Sequence, residues 1–138
     1  TETAREHSCP LRRTIHKYLH EFEASCALLV ESLQSGGKVM ACGNGGSAAD
    51  SAHFMTELLC RLDVERPPLA GIALTNDGSF LTAVGNDYAF DEIFARQITG
   101  LGNSGDVGIG MTTSSRGDLR PILKIRHNIC AVFISRLD

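Results

Sequence analysis

The stretch Lys38–Glu57, "KVMACGNGGSAADSAHFMTE", decides the fold. Apolar and small residues from Val39 to Gly43 run into a glycine-rich turn, and the turn runs into a helical pattern carrying His53 and Glu57. Strand, tight turn and helix in immediate succession form the corner from which α/β proteins are wound. The corner could cradle a nucleotide, a metal or a sugar phosphate, or serve only as a bend.

Three further apolar runs lie downstream: "LAGIALT" (69–75), "DVGIGMT" (106–112) and "NICAVFIS" (128–135). They are continuous rather than alternating, as expected of strands covered on both faces of a parallel sheet. Helical patterns separate them over Ser47–Leu62, Ser79–Val84 and Asp91–Leu101, with a weaker one over Leu119–Arg126. Upstream, Leu11, Ile15, Tyr18, Phe22, Cys26, Leu29 and Leu33 recur at threes and fours. That spacing predicts one long amphipathic helix, stopped by glycine in "SGGK". Its seam is long for so small a chain, which points to self-association.

In a doubly wound α/β protein, ligands gather outside the carboxyl ends of the strands. The segments there are "GNGGS", "NDGS" and "TTSS". Gly43-Asn44-Gly45-Gly46-Ser47-Ala48 fits the dinucleotide pattern G-x-G-x-x-G/A, but that pattern also wants an acid about 20 residues on, ending the second strand. Asp63 has the spacing but precedes Pro67 and Pro68 in a connection, and Asp77 has the place but lies too far along. No nucleotide cofactor is expected. Glycines nevertheless let backbone amides approach a ligand, and a helix opening at Ser47 would aim its positive end at the same spot. The alternative is a bend with Ser47 capping the helix.

On that helix, Asp50, His53, Glu57 and Arg61 share one stripe, opposite Ala48, Ala52, Met55, Leu59 and Leu62. The polar stripe is either a solvated face or the wall of a cleft closed by another subunit. In a cleft, Glu57 could act as a base and His53 with Glu57 could offer two zinc ligands, short of the usual three or four. The consecutive hydroxyls of Thr112–Ser115 suit phosphate oxygens, or cap the next helix.

Composition narrows the field. The chain has 138 residues, 43% hydrophobic and 21% charged, with a net charge of −3. That is enough for one compact domain and leaves no basic footprint for nucleic acid. No apolar run approaches the length of a membrane span. The five cysteines are scattered and never form C-x-x-C, as expected of small buried hydrophobes in a reducing cytoplasmic setting.

The G-N-G-G-S, H-x-x-x-E and G-N-D-Y blocks, with their spacing from Gly36 to Gly110, closely resemble the phosphoheptose isomerases, a branch of the sugar-isomerase (SIS) domain family. The resemblance implies a single SIS domain over 1–138, with a helical segment 1–35 and an α/β core 36–138. It implies a three-layer α/β/α sandwich around a flavodoxin-like parallel sheet, with a long N-terminal helix. It further implies a cytoplasmic homotetramer with active sites between subunits, interconverting sedoheptulose 7-phosphate and D-glycero-D-manno-heptose 7-phosphate for bacterial lipopolysaccharide. Carried over by motif, Asn44, Gly45, Gly46, Ser47, Asn86 and Asp87 would contact the sugar, and Thr112, Thr113 and Ser114 the phosphate. His53 and Glu57 would hold zinc, Glu57 being also the proton-transfer base.

Departures from the family pattern are visible. Ser115 and Gly117 stand where a glycine and a further phosphate-binding serine are expected, and Pro121 interrupts the next helix. No counterpart of the family's last helix comes after "NICAVFIS", and His127 is a poor substitute for the histidine that helix carries. The expectation is a sequence with omitted segments or a truncated relative. Two other functions stay open: a non-enzymatic adaptor of the same fold, of the kind associated with the bacterial replication initiator, and a sugar-phosphate sensor.

Overall fold

A computed structural model describes residues 2–113 and 130–135, with side chains described over 18–113. The elements run α1 (Glu2–Gln34), β1 (Val39–Gly43), α2 (Gly46–Leu59), β2 (Gly71–Ala73), α3 (Gly78–Asp87), a 3-10 turn (Phe90–Glu92), α4 (Ile93–Leu101), β3 (Val107–Thr112) and β4 (Cys130–Ser135). The four strands form one sheet in the order β2-β1-β3-β4, and every pairing is parallel.

Successive residues of a strand face opposite sides, so β1 feeds two cores. Met40 and Cys42 point to one side, where they join Leu74, Val84, Ile93, Phe94 and Ile98 from the β2 end, α3 and α4. Val39 and Ala41 point to the other, where they join Met55, Val107 and Ile109, flanked by Leu29 and Leu33 of α1 and by Phe54 and Leu58 of α2. Each fully buried large side chain contributes about 1.5–3 kcal/mol by leaving water. The expected three-layer α/β/α sandwich is what forms, with α1 and α2 on one face and α3 and α4 on the other.

The stop after α1 is the expected glycine cap, in a Schellman arrangement. Gly36 has φ +80°, its N–H donates to the Leu33 carbonyl, and the Gly37 N–H donates to the Ser32 carbonyl. Gly37 is required for a second reason, since a Cβ there would lie 2.6 Å from Ser32 Oγ and 2.9 Å from the Gly105 carbonyl oxygen. Of the expected α1 seam, Leu29 and Leu33 reach the core while Phe22 is 66% exposed. The side chains of Leu11 and Ile15, the expected helix over Leu119–Arg126 and the hydroxyls of Ser114 and Ser115 lie outside the described residues.

The buried face of α2 differs from the expected one. Ser47, Ser51 and Met55 are buried, with Phe54 and Leu58 packed beside them, whereas Leu59 is 49% and Leu62 80% exposed. The helix is thus turned by about one residue, roughly 100°, from the stripe that apolarity alone marks. Close approach explains the turn. A Cβ on Gly43 would lie 2.6 Å from the Ser47 carbonyl oxygen and 2.8 Å from Ser47 Cβ, so α2 rests almost directly on the end of β1. Only small side chains fit in that gap, and Ser51 Oγ removes its own polarity by donating to the Ser47 carbonyl at 2.7 Å.

Candidate active site at the carboxyl edge of the sheet

The chain leaves β1 toward β2 by way of α2 on one face, then returns to β3 by way of α3 and α4 on the other. The winding direction therefore reverses between β1 and β3, and the crevice outside their carboxyl ends is where such sheets bind ligands. Register places Gly43 beside Met111, so Asn44, the next residue, opens next to Thr112. Asn44, Gly45 and Gly46 are exposed, Thr112 is half-buried and Thr113 exposed. The structure brings the glycine turn and the first two threonines of "TTSS" together; Ser114 lies outside the described residues.

The turn itself is tight. Gly45 takes φ 57° and ψ −123°, a backbone state open to glycine, and caps α2 without a side-chain hydrogen bond. Ser47 is not that cap. It is 5% exposed, packed under Gly43, with its N–H donating to the Asn44 carbonyl at 3.1 Å. The first turn of α2 carries no acid, so its positive end faces the crevice uncompensated by its own helix.

The segment after β2 joins the same edge. Leu74 N–H donates to the Ala41 carbonyl at 2.8 Å, and Thr75 Oγ1 donates to the Ala48 carbonyl at 3.3 Å, binding this loop to the first turn of α2. From α4, Gln97 Nε2 donates to the Leu74 carbonyl at 2.8 Å and braces the loop from the other face. Asp77 closes it by accepting the Phe80 N–H at 3.0 Å as the N-cap of α3. Neither Thr75 nor Gln97 is marked by a motif; the signal for Thr75 is only a hydroxyl directly after a buried strand.

His53 and Glu57 lie farther along α2 than its first turn. Glu57 lies eleven residues beyond Gly46, roughly 16 Å along the helix axis, and His53 about 10 Å. They do share a face: His53 Nε2 stands 3.5 Å from Glu57 Oε1, with the histidine 78% and the glutamate 27% exposed. Two donors bound to one zinc ion at about 2.1 Å with tetrahedral angles stand about 3.4 Å apart. The imidazole and carboxylate thus have the chemistry and the separation of two zinc ligands. Their number falls short, and among the described residues no group of three His, Cys, Asp or Glu is placed to hold a metal.

Asn86 and Asp87 are exposed at the far end of α3, about 12 Å along it from Gly78. Asn86 Nδ2 donates to Asp87 Oδ1 at 2.8 Å.

The profile of the SIS domain matches residues 5–119. The chain belongs to the SIS domain family. It is similar to the phosphoheptose isomerase of Thiobacillus denitrificans, 56% identical over 92 residues that cover 67% of this chain and 47% of the relative. The phosphoheptose isomerase structure from Neisseria gonorrhoeae superposes with a TM-score of 0.81 at 35% identity, over 97% of this chain and 72% of that one. The corresponding structure from Francisella tularensis gives 0.72 at 34% identity, over 98% and 74%. The chain spans about half the length of the curated relatives it matches. As a SIS chain it holds the family's sheet together with the glycine turn, the threonine loop and the His53–Glu57 helix. No helix among the described residues is long and apolar enough to cross a membrane.

Proposed function

We propose that the chain is one SIS domain, over 1–138, of a phosphoheptose isomerase that interconverts sedoheptulose 7-phosphate and D-glycero-D-manno-heptose 7-phosphate. The observation that carries this reading is the glycine turn set beside Thr112 at the reversal point of the sheet, in a chain 56% identical to a phosphoheptose isomerase across 92 residues. The alternatives, an adaptor or a sensor of the same fold, are not favoured by relatives that carry this name.

In the proposed site, Thr112, Thr113 and Ser114 hold the phosphate with help from the positive end of α2. Asn44, Gly45 and Gly46 meet the sugar hydroxyls, with Ser47 holding the turn from beneath. Glu57, His53, Asn86 and Asp87 come from neighbouring copies. The separation of roughly 16 Å between Glu57 and the glycine turn supports a site completed between subunits, in the homotetramer the family resemblance implies. The exposed Leu19, Phe22 and Val30 of α1 offer apolar surface for such an assembly.

The chemistry asks for one well-placed carboxylate. Glu57 takes a proton from C1, and the C–H electron pair forms the C1=C2 bond of an enediol as the C2 carbonyl oxygen gains a proton. A proton then returns to C2 while O1 loses its own and the C1 carbonyl forms. No net oxidation occurs and no redox cofactor is needed. A zinc ion held by His53 and Glu57, with further ligands from outside this pair, would supply Lewis-acid stabilisation of the sugar oxygens. A cytoplasmic location accords with a phosphorylated substrate.

Incubating the protein with sedoheptulose 7-phosphate, with and without added zinc, and monitoring aldose formation tests the reading. Aldose formation is expected. Binding without turnover would point to a sensor, and neither binding nor turnover to an adaptor.

A further inference from the structure

The connection from α2 to β2 contains a feature that the proposed reaction does not yet use. The last turn of α2 carries no basic residue, although its carbonyls form the negative end of the helix. A cation arrives from outside. Arg66 Nη2 donates to the Glu57 carbonyl at 2.5 Å, while Nη1 donates to the Leu58 carbonyl at 2.9 Å and to the Pro67 carbonyl at 3.0 Å. Leu69 N–H adds a second bond to the Leu58 carbonyl at 3.0 Å. The fork of one guanidinium thus spans two consecutive carbonyls at the end of the helix, a geometry that a lysine ammonium does not reproduce.

The sequence prepares the clamp. Arg66 precedes Pro67, which restricts its backbone to extended conformations, and Pro68 stiffens the approach to β2. The side chain therefore leaves a fixed base and reaches back across the exposed connection that carries Leu62 and Val64. Without it, the carbonyls of residues 57 and 58 would lose their guanidinium partner, and the last turn of a helix is the part that frays. Glu57 sits in that turn.

We infer that Arg66 is a positioning residue for Glu57: by clamping the main-chain carbonyls of residues 57 and 58 it fixes the direction of the carboxylate that moves the proton. The inference rests on the proposed isomerase reading. Arg66 touches no substrate and acts through the helix end alone. Misplacing a reacting group by an ångström can lower a rate about 100-fold, so loosening one turn has a visible kinetic effect.

The test compares wild type, Glu57→Gln, Arg66→Ala and Arg66→Lys as full chains, with sedoheptulose 7-phosphate as substrate. Arg66→Ala is expected to lower kcat about tenfold or more with KM within about twofold of wild type. Millimolar guanidinium should restore much of the rate. Arg66→Lys, which keeps the charge without the fork, should show a similar fall, and it serves as the test variant should Arg66→Ala not fold. Amide exchange over residues 57–60 should quicken in both.

An unchanged kcat in a folded Arg66 variant, while Glu57→Gln is inactive, overturns the inference and leaves the isomerase reading standing. So does a rise in KM alone. If wild type does not turn over the sugar, or Glu57→Gln matches it, the isomerase reading fails and takes this inference with it.

Discussion

Asp106 holds Lys38 at two points: its Oδ1 accepts the Lys38 backbone N–H at 2.9 Å and its Oδ2 accepts the Lys38 ammonium at 2.5 Å. Oδ2 also accepts the Asn103 N–H at 2.7 Å. The two residues immediately precede β1 and β3, so one carboxylate ties together the starts of the strands whose far ends frame the candidate crevice. Asp106 is 2% exposed and Lys38 19%. Replacing Asp106 with Asn leaves the ammonium without its counter-charge and should lower stability by about 3 kcal/mol, read as a drop in denaturation midpoint at unchanged m.

The same carboxylate sets an acid limit. Burial raises its pKa, but the Lys38 ammonium, the Asn103 and Lys38 amides and the Lys38 charge together outweigh burial and hold it below the ordinary carboxylate value. A depressed folded-state pKa stabilises above the unfolded value, about 3.9, and that stabilisation is lost as pH falls through the folded value. Wild type should therefore lose stability on acidification below about pH 4 more steeply than Asp106→Asn. Parallel curves would contradict the assignment.

Cysteine reactivity should separate two positions. Burial in the core against α3 and α4 pushes the Cys42 thiol up to about 12, whereas Cys60 is exposed at the end of α2. Alkylation of the folded protein near pH 8, read by peptide mass, should label Cys60 and spare Cys42 until denaturant is added. At alkaline pH the neutral Cys42 thiol stabilises the fold fully below its unfolded pKa, and that contribution is lost as pH rises toward the folded value.

Gly43→Ala would push a methyl group into the Ser47 backbone, at 2.6 Å from the carbonyl oxygen. The two nearest atoms are main chain, so relief requires moving α2. The substitution should cost about 1–3 kcal/mol and weaken sugar-phosphate binding, measured by calorimetric titration. Gly46→Ala meets no atom within 4 Å and should fold as wild type does.

Thr112→Val removes a hydroxyl from the proposed phosphate contact while keeping shape. Because the phosphate is held equally before and during proton transfer, KM for sedoheptulose 7-phosphate should rise about tenfold with kcat little altered. A fall in kcat alone would place Thr112 in the proton transfer instead.

The main divisions of the fold were legible because each rests on a strong local signal. Continuous apolar runs marked all four strands, and Gly36 with Gly37 marked the end of α1. The face of α2 was misread because apolarity is a poor guide where a helix touches a strand: Ser47 and Ser51 are small enough to be buried against Gly43, while Leu59 and Leu62 remain outside the core of the single chain. The crevice between the glycine turn and Thr112 came from strand order, which alternating elements imply. Arg66 left no readable mark, since it works through carbonyl groups that every residue possesses and reaches eight and nine positions back along the chain.

The central claim is that Glu57 moves a proton between C1 and C2 of a heptose phosphate. Its most direct test is to hold sedoheptulose 7-phosphate with the protein in deuterium oxide and monitor deuterium entry by NMR, for wild type and Glu57→Gln side by side. The account predicts aldose formation with wild type, deuterium entering C2 to the extent that the proton held on Glu57 exchanges with solvent, and a fall in rate of about 100-fold or more with Glu57→Gln. Equal aldose formation with both proteins would contradict it.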